Sequence, residues 1–524
     1  MGFSEVGVFS RGFVIERENE DFFESEEAAK VFVNDTLVKE TKENVISIFS
    51  LKPDSVYDVK VVDSSGTSEK KIITKCESVL LNVKAFGAKG DGVNDDTESI
   101  SCAIAACLPG GTVFVPAGTY LVRPLFMKDN ITLYLDKGAV LLGETDRTKY
   151  PILPGMVFSE DWDKEENFGS WEGNPLDQFA SLITGVGVKD LSVIGEGTID
   201  GNSQNSDWWV DVRIRRIAWR PNLVFLNRCH NVVFAGITIK NSPCWAVHPY
   251  YCDDVSLIDL YIENPSDSPN TDGIDPESCI NTLILGTTIS VGDDCVAVKS
   301  GKLYMARQHF RRTNKVTVRN CRFMSGHGGV TIGSEISGGV ENVYVTKSIF
   351  KDTDRGIRIK SRRGRGDRAH ISGIVCENML MDGVRMPLTV NMFYFCDPDG
   401  HSPYVQTQEA LPVDEATPSI GLIEFRDLTC KNTENCFVCA YGLPERYVEG
   451  IKIKNVNVSF VSPEKRRPVL PVMMDDFPEM AGKSMFFKNI DSVEIENVVI
   501  EGEAIEEPEF INVKELKKEA LKIG

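Results

Sequence analysis

The sequence predicts an all-β chain: a right-handed parallel β-helix of stacked rungs, preceded by a small β-sandwich. Three observations predict it. Short apolar-alternating runs begin near Val232, Val255, Thr282, Val316, Val343 and Ile374, at intervals of 23 to 34 residues, the repeat length of a solenoid. A second short run follows each strand by about 12–18 residues: Ala246-Val247-His248, Gly273-Ile274-Asp275-Pro276, Cys295–Lys299, Gly329–Gly333 and Gly356–Lys360. No long helical pattern separates them, so the rungs must stack by strand pairing.

Residues 1–76 read as a separate sandwich resembling a fibronectin type III domain. Val31–Asp35, Val45–Phe49 and Val56–Val62 alternate as strands, with a turn at Gly66. Tyr57, after Leu51-Lys52-Pro53-Asp54-Ser55-Val56, matches a tyrosine that ties a sheet corner. This unit reads as a spacer, with a wall at one end of a binding site as the alternative.

Residues 77–524 read as the solenoid. Val83–Gly92 is a strand followed by a Gly-rich loop lacking either phosphate-binding signature. Asp95-Asp96-Thr97 opens a helix through Ile100, Ala103, Ile104 and Cys107, and Gly110–Gly118 returns to strand. Earlier rungs begin near Ile131 and Leu191, later ones near Leu422, Ile451 and Val493. Asn231, Asn281 and Asn342 precede strands, where an internal asparagine ladder is expected. Long insertions stand at 156–180, 203–219, 302–312 and 397–417. Trp208, Trp209 and Trp219 either stack on sugar faces or pack the insertion.

Composition excludes several classes. A chain of 524 residues with 57 basic and 77 acidic side chains carries a formal charge of −20, against general nucleic-acid binding. No apolar run reaches the roughly 18 residues of a membrane span. The N-terminus shows no signal-peptide pattern, and the 14 Cys are scattered through strand-like runs. Reduced thiols in a cytoplasmic protein are therefore expected. Cys436-x-x-Cys439 has no partner pair and carries little weight as a metal or redox motif.

Register gives the second runs a chemistry. Val247, Ile274, Val296, Val330 and Ile357 should point inward; His248, Asp275, Ala297, Thr331 and Arg358 should point outward. Two residues on, Tyr250, Glu277, Lys299, Gly333 and Lys360 form a second outward column. Rungs stack at about 4.8 Å, so one exposed face becomes a long groove suited to a polymer. Asp272 and Asp294 each lie two residues before an inward aliphatic, with Asp293 beside them. Crowded carboxyls raise at least one pKa, which lets one act as an acid while others act as bases. Turn-forming Asp and calcium binding are the competing explanations. His327 follows one rung on, between glycines. From Lys351 to His370 eight Lys or Arg face three Asp, a basic strip in an acidic chain.

The ordered set Asn270-Thr271-Asp272, Gly292-Asp293-Asp294, Gly326-His327-Gly328 and Arg358-Ile359-Lys360 resembles glycoside hydrolase family 28, the polygalacturonases. The opening Phe86–Gly92 resembles the start of these β-helices, and the likeness spans about residues 80–500. It implies inverting hydrolysis of α-1,4-galacturonosyl links in a galacturonic acid-containing oligo- or polysaccharide. Asp293 would be the general acid, Asp272 and Asp294 would activate water, and His327 would tune the acid. Arg358 and Lys360 would bind the galacturonate carboxylate, with Asn270, Lys299 and His248 completing the expected substrate-binding set. No metal or organic cofactor is implied. Adjacent rungs put the acids near 5 Å apart, which the general spacing rule assigns to retention, so inversion rests on the family likeness. The sandwich and the insertions resemble exo-acting bacterial members. Rhamnogalacturonan hydrolysis, endo action, a calcium-dependent pectate lyase and a non-catalytic pectin-binding surface stay open, as does the oligomeric state.

Overall fold

The computed structural model describes residues 2–159 and 164–524; four positions of the 156–180 insertion, 160–163, lie outside the described residues. Two antiparallel sheets form the N-terminal unit. One joins Phe3–Val8, Gly12–Arg17 and Val45–Phe49; the other joins Thr36–Glu43, Glu24–Val33, Val56–Asp63 and Gly66–Ile73. Alternation buries Phe13, Ile15, Val31, Ile46, Val59 and Ile72 in one core. The Tyr57 hydroxyl accepts the Lys52 N–H at 2.8 Å, the corner tie its position predicts.

This unit buttresses the solenoid. Phe9, Val14 and Phe49 pack on Tyr134, Ile194, Ala235 and Ile258, and Glu16 pairs with Arg319 at 2.7 Å. Those solenoid residues belong to the strand column that runs through Ile131, Leu191, Val232, Val255 and Val316, whereas the acids stand just before the column that carries Ile274 and Val296. The unit therefore does not wall the candidate site.

From Leu80 the chain winds into one 28-stranded sheet of parallel pairs, a right-handed parallel β-helix. The repeats seen in the sequence fall into one register column. Ile131 pairs with Leu191, then Val232, Val255, Thr282, Val316, Val343 and Ile374 in turn. The column continues through Ile423, Ile451 and Val493. The expected start at Leu422 is one residue early, because Leu422 pairs with Gly450 and Ile423 takes the inward place. A second column carries Val247, Ile274, Val296, Val330 and Ile357 in register, all buried. Each such side chain contributes roughly 1.5–3 kcal/mol by leaving water. Repeated along the axis, that fixes the register, since a one-residue slip would expose the whole row.

Turns explain the asparagines. Asn231, Asn281 and Asn342 take left-handed backbone with φ of 53°, 62° and 58°, a conformation asparagine tolerates at low cost. Their side-chain amides donate to Asp190, Asp254 and Asn314 on the preceding rung. The ladder is exposed rather than internal, because a left-handed residue near the start of each strand turns its side chain outward. The helix Thr97–Ala106 caps the N-terminal end with Ile100, Ala103 and Ile104. Asp95 accepts the Thr97 N–H at 3.0 Å, while Asp96 turns back to the Lys89 and Gly90 N–H groups of the Gly-rich loop.

All 14 cysteines are free, and Cys436 and Cys439 are buried in one strand. No helix among the described residues is long and apolar enough to cross a membrane.

Candidate active site

Strand pairing assembles the acids. Ile274 bridges Val296, so the positions two residues earlier, Asp272 and Asp294, come together on neighbouring rungs. Carboxylate oxygens of Asp272, Asp293 and Asp294 all lie within 4.8 Å of one another. The turn before Asp272 is fixed by buried groups. Thr271 Oγ1 accepts the Gly292 N–H at 3.2 Å, and the buried Arg220 guanidinium donates to Asn270 Oδ1 at 2.6 Å and to the Pro243 and Pro269 carbonyls. The Gly-His-Gly segment also has a steric reason. Gly326 has φ of 92°, and a Cβ on Gly328 would stand 2.7 Å from Asp294 Oδ1.

The three acids occupy different electrostatic surroundings. Asp294 is buried, yet Lys360 Nζ lies 2.9 Å from Oδ2 and an Arg358 nitrogen 3.2 Å from Oδ1. Burial alone would raise its pKa, but the two cations together hold it well below the ordinary carboxylate range. Asp272 is also buried. Desolvation first, then the neighbouring Asp275 and Asp293, push its pKa upward, against an opposing pull from Lys299. Asp293 is the acid on the rim, with a quarter of its side chain exposed. His327 Nδ1 stands 3.4 Å from Asp293 Oδ1, and that hydrogen bond raises the imidazole pKa. A deep charged carboxylate, a deep carboxyl biased toward its proton and an accessible rim carboxyl can divide acid and base roles.

Several expected substrate contacts lie elsewhere. His248 has no exposed surface; its Nε2 meets Glu277 Oε2 at 3.0 Å and its Nδ1 meets Asn222 at 2.7 Å. Alternation aimed it off the core, but Trp245 and Phe225 cover it, so it does not touch substrate. Lys299 is likewise buried. Its Nζ stands 3.3 Å from Glu335, 3.4 Å from Asp275 and 3.7 Å from Asp272, with Trp245 under it at 4.4 Å. The surrounding acids raise its pKa despite burial, so it is a charge centre beneath the groove. Arg358 and Lys360 reach the site, as the register predicts, but hold Asp294 rather than standing free.

Sequence reasoning missed part of the setting. Met473 lies against Arg358, Tyr394 against Lys360, and Arg355 donates to the Leu470 and Pro471 carbonyls. The segment around Pro471–Met473 carries no charged motif. Arg220 and Glu335 were also missed, since a lone buried ion leaves no periodic signal. Trp208 is fully buried and packs on Tyr150 and Phe179, and Trp219 stacks on Trp171 with rings 4.6 Å apart. These tryptophans pack the insertions.

The insertions form one bonded wall. Lys302 pairs with Asp397 at 2.9 Å, Asp397 with Arg365 at 2.6 Å, and Tyr304 donates to Glu165 at 2.6 Å. Trp171, Glu172, Asn222, Trp245 and Asn270 line a narrow pocket beside the acids. The triad has a spacing that would suit a divalent cation, but Arg358 and Lys360 already sit on Asp294, and Lys299 attends Asp272. A further positive charge there would meet three fixed cations.

The ordered acids, histidine and cations all fall inside residues 163–467, which match the model described as "Glycosyl hydrolases family 28". The chain belongs to glycosyl hydrolase family 28. It is thus a glycoside hydrolase. Residues 80–150 match "Rhamnogalacturonase A/epimerase, pectate lyase-like". A "Probable polygalacturonase" of Vitis vinifera is 29% identical over 401 residues, covering 75% of this chain and 77% of the relative. An "Exo-poly-alpha-D-galacturonosidase" of Dickeya chrysanthemi is 24% identical over 504 residues, covering 86% and 80%. The solved "Yersinia enterocolitica Family 28 Exopolygalacturonase" superposes with a TM-score of 0.67 over 97% of both chains at 19% identity, the same fold.

Proposed function

We propose that this family 28 hydrolase is an exo-acting, inverting polygalacturonase that removes sugars from the end of galacturonides. The observation that carries the reading is the acid triad, with its cations, beside a groove flanked by mutually bonded insertions. A walled groove accepts a chain end where an open one accepts the middle of a polymer. Full-length likeness to proteins named for exo action on polygalacturonate supports it.

In the mechanism, Asp293 gives its proton to the glycosidic oxygen as the C1–O bond breaks. Water attacks C1 from the opposite face and loses its proton to the Asp272/Asp294 side, leaving an inverted hemiacetal. His327 orients Asp293. Arg358 and Lys360 keep Asp294 charged and present the cationic flank to a substrate carboxylate.

Product analysis on tri- and polygalacturonate tests the reading. A free small sugar from the first time point is expected; a ladder of intermediates would mean endo action. NMR of the initial product should show the β-anomer, and a first-formed α-anomer would overturn inversion. A calcium-dependent lyase would instead give an unsaturated product, and a chelator would stop its formation.

A further inference from the structure

The groove over the acid-bearing column is covered at both ends. At one end Trp245 lies on His248, on the Val247 rung, and reaches over Lys299. At the other end the segment Leu470–Asp475 crosses the column as a strap. Arg355, at the start of its strand, donates to the Leu470 and Pro471 carbonyls. Arg358, mid-strand, donates to the Met473 sulfur at 2.8 Å. Asn391, at the end of the next strand, donates to the Met473 carbonyl at 3.1 Å. Beyond the strand ends, Gln406 accepts the Asp475 N–H at 3.0 Å and His401 meets the Asp475 carboxylate at 2.8 Å. Leu470 to Asp475 is the same number of residue steps as Arg355 to Lys360, so an extended strap spans the full strand.

Packing fixes the strap. Val472 and Met474 are buried, and Phe477 packs on Tyr441 and Phe486. The space left beneath it, beside Arg358, Lys360, Thr389 and Asn391, is about 10 Å³, a single water at most. No sugar passes under it.

Three rungs stand between the two covers. Val247 is followed by Ile274, Val296 and Val330 before Ile357, the rung of Arg358. At about 4.8 Å per rung, the distance from cover to cover is roughly 19 Å, less the thickness of the covering side chains. A sugar in a linear α-1,4 chain advances by about one such step, so about three fit. A longer chain must rise over the strap, whose exposed Asp476 and Glu479 repel a polyanion.

We propose that the strap Leu470–Asp475 sets substrate length, so that this hydrolase works on galacturonides of two or three sugars and the polymer is a poor substrate. The inference rests on the galacturonide reading above and adds the length of the chain that the site accepts.

Kinetics on di-, tri-, hexa- and polygalacturonate, at equal concentrations of chain ends, test it. In the parent, kcat/KM should be about tenfold or more higher on trigalacturonate than on polygalacturonate. Met473→Ala trims the strap over Arg358 and should narrow that ratio by about threefold or more. Asp476→Asn combined with Glu479→Gln removes only exposed charge, so the fold is kept. It should narrow the ratio at low ionic strength, and added salt should narrow it in the parent. A parent whose kcat/KM climbs with each added sugar up to the polymer would overturn the strap's role while leaving the hydrolase reading intact. A ratio unmoved in both variants would also overturn it, and would place the length limit at Trp245. A parent inactive on every galacturonide would defeat the functional reading and this inference with it.

Discussion

Lys299 separates a charge centre from a substrate contact. Its ammonium lies 3.3, 3.4 and 3.7 Å from Glu335, Asp275 and Asp272, with almost none of the side chain exposed. At an effective dielectric of about 20, each such pair attracts by roughly 5 kcal/mol, largely offset by the cost of burying the charges. Lys299→Met removes the shared partner and leaves the acids behind, which costs about 3–5 kcal/mol at neutral pH. An unfolding entropy of about 2.1 cal/mol/K per residue gives roughly 1.1 kcal/mol/K for a single cooperative unit of this length. Tm should then fall by about 3–5 °C. Losing the cation also raises the pKa of Asp272, which must be ionised to act as a base. The acidic limb of kcat should move to higher pH by about one unit or more, with KM held within about twofold. Calorimetry and pH-dependent kinetics on trigalacturonate read both effects. A large rise in KM with kcat and the limb unchanged would mean that Lys299 binds substrate, and the buried-centre argument would be wrong.

Asp293→Asn should lower kcat by about 10²–10⁴ with KM and Tm near parent values, since it removes a rim acid and no packing. Measured Tm should respond oppositely at the two deep acids. The pKa of Asp294 is depressed on folding, so its stabilisation is present above the unfolded value near 3.9 and is lost as pH falls through the folded value. Asp294→Asn should accordingly lower Tm at pH 7, and the deficit should shrink in acid. The pKa of Asp272 is raised on folding, so its carboxyl weakens the fold once pH exceeds the unfolded value, and Asp272→Asn should raise Tm at pH 7 while abolishing turnover. Asp397→Ala breaks the pairs that join Lys302, Arg362 and Arg365 into the wall. It should shift early products from a single small sugar toward a ladder on chromatography.

Most of the architecture was legible because a solenoid writes its register into the sequence. Val232, Val255, Thr282, Val316, Val343 and Ile374 mark one column, and the alternation around Ile274 and Val296 suffices to stack Asp272 on Asp294. Burial by neighbours outside the repeat is not periodic, and there the reading failed. His248 and Lys299 point off the core as alternation requires, yet Trp245 and Phe225 close over His248, and Trp245 and Glu335 close over Lys299. Asn231, Asn281 and Asn342 face outward rather than inward because a positive φ, which sequence position does not reveal, decides where the side chain goes. Pro471–Met473 reaches Arg355 and Arg358 from a loop more than a hundred residues later, a contact that no local pattern carries.

Stacking creates the site's chief electrostatic difficulty as well as its geometry. Rungs about 4.8 Å apart force carboxylates into contact, and such contact is unfavourable unless opposite charge is near. The chain answers from two directions. Arg358 and Lys360 reach back from two rungs later to Asp294, and Lys299 lies under Asp272 from the adjoining rung. Asp294 receives two dedicated cations, whereas Asp272 shares one with Glu335 and Asp275. That inequality, rather than any difference between the carboxyl groups themselves, makes one deep acid a permanent anion and leaves the other able to take a proton. The same rung repeat that builds the groove thereby also divides the labour within it.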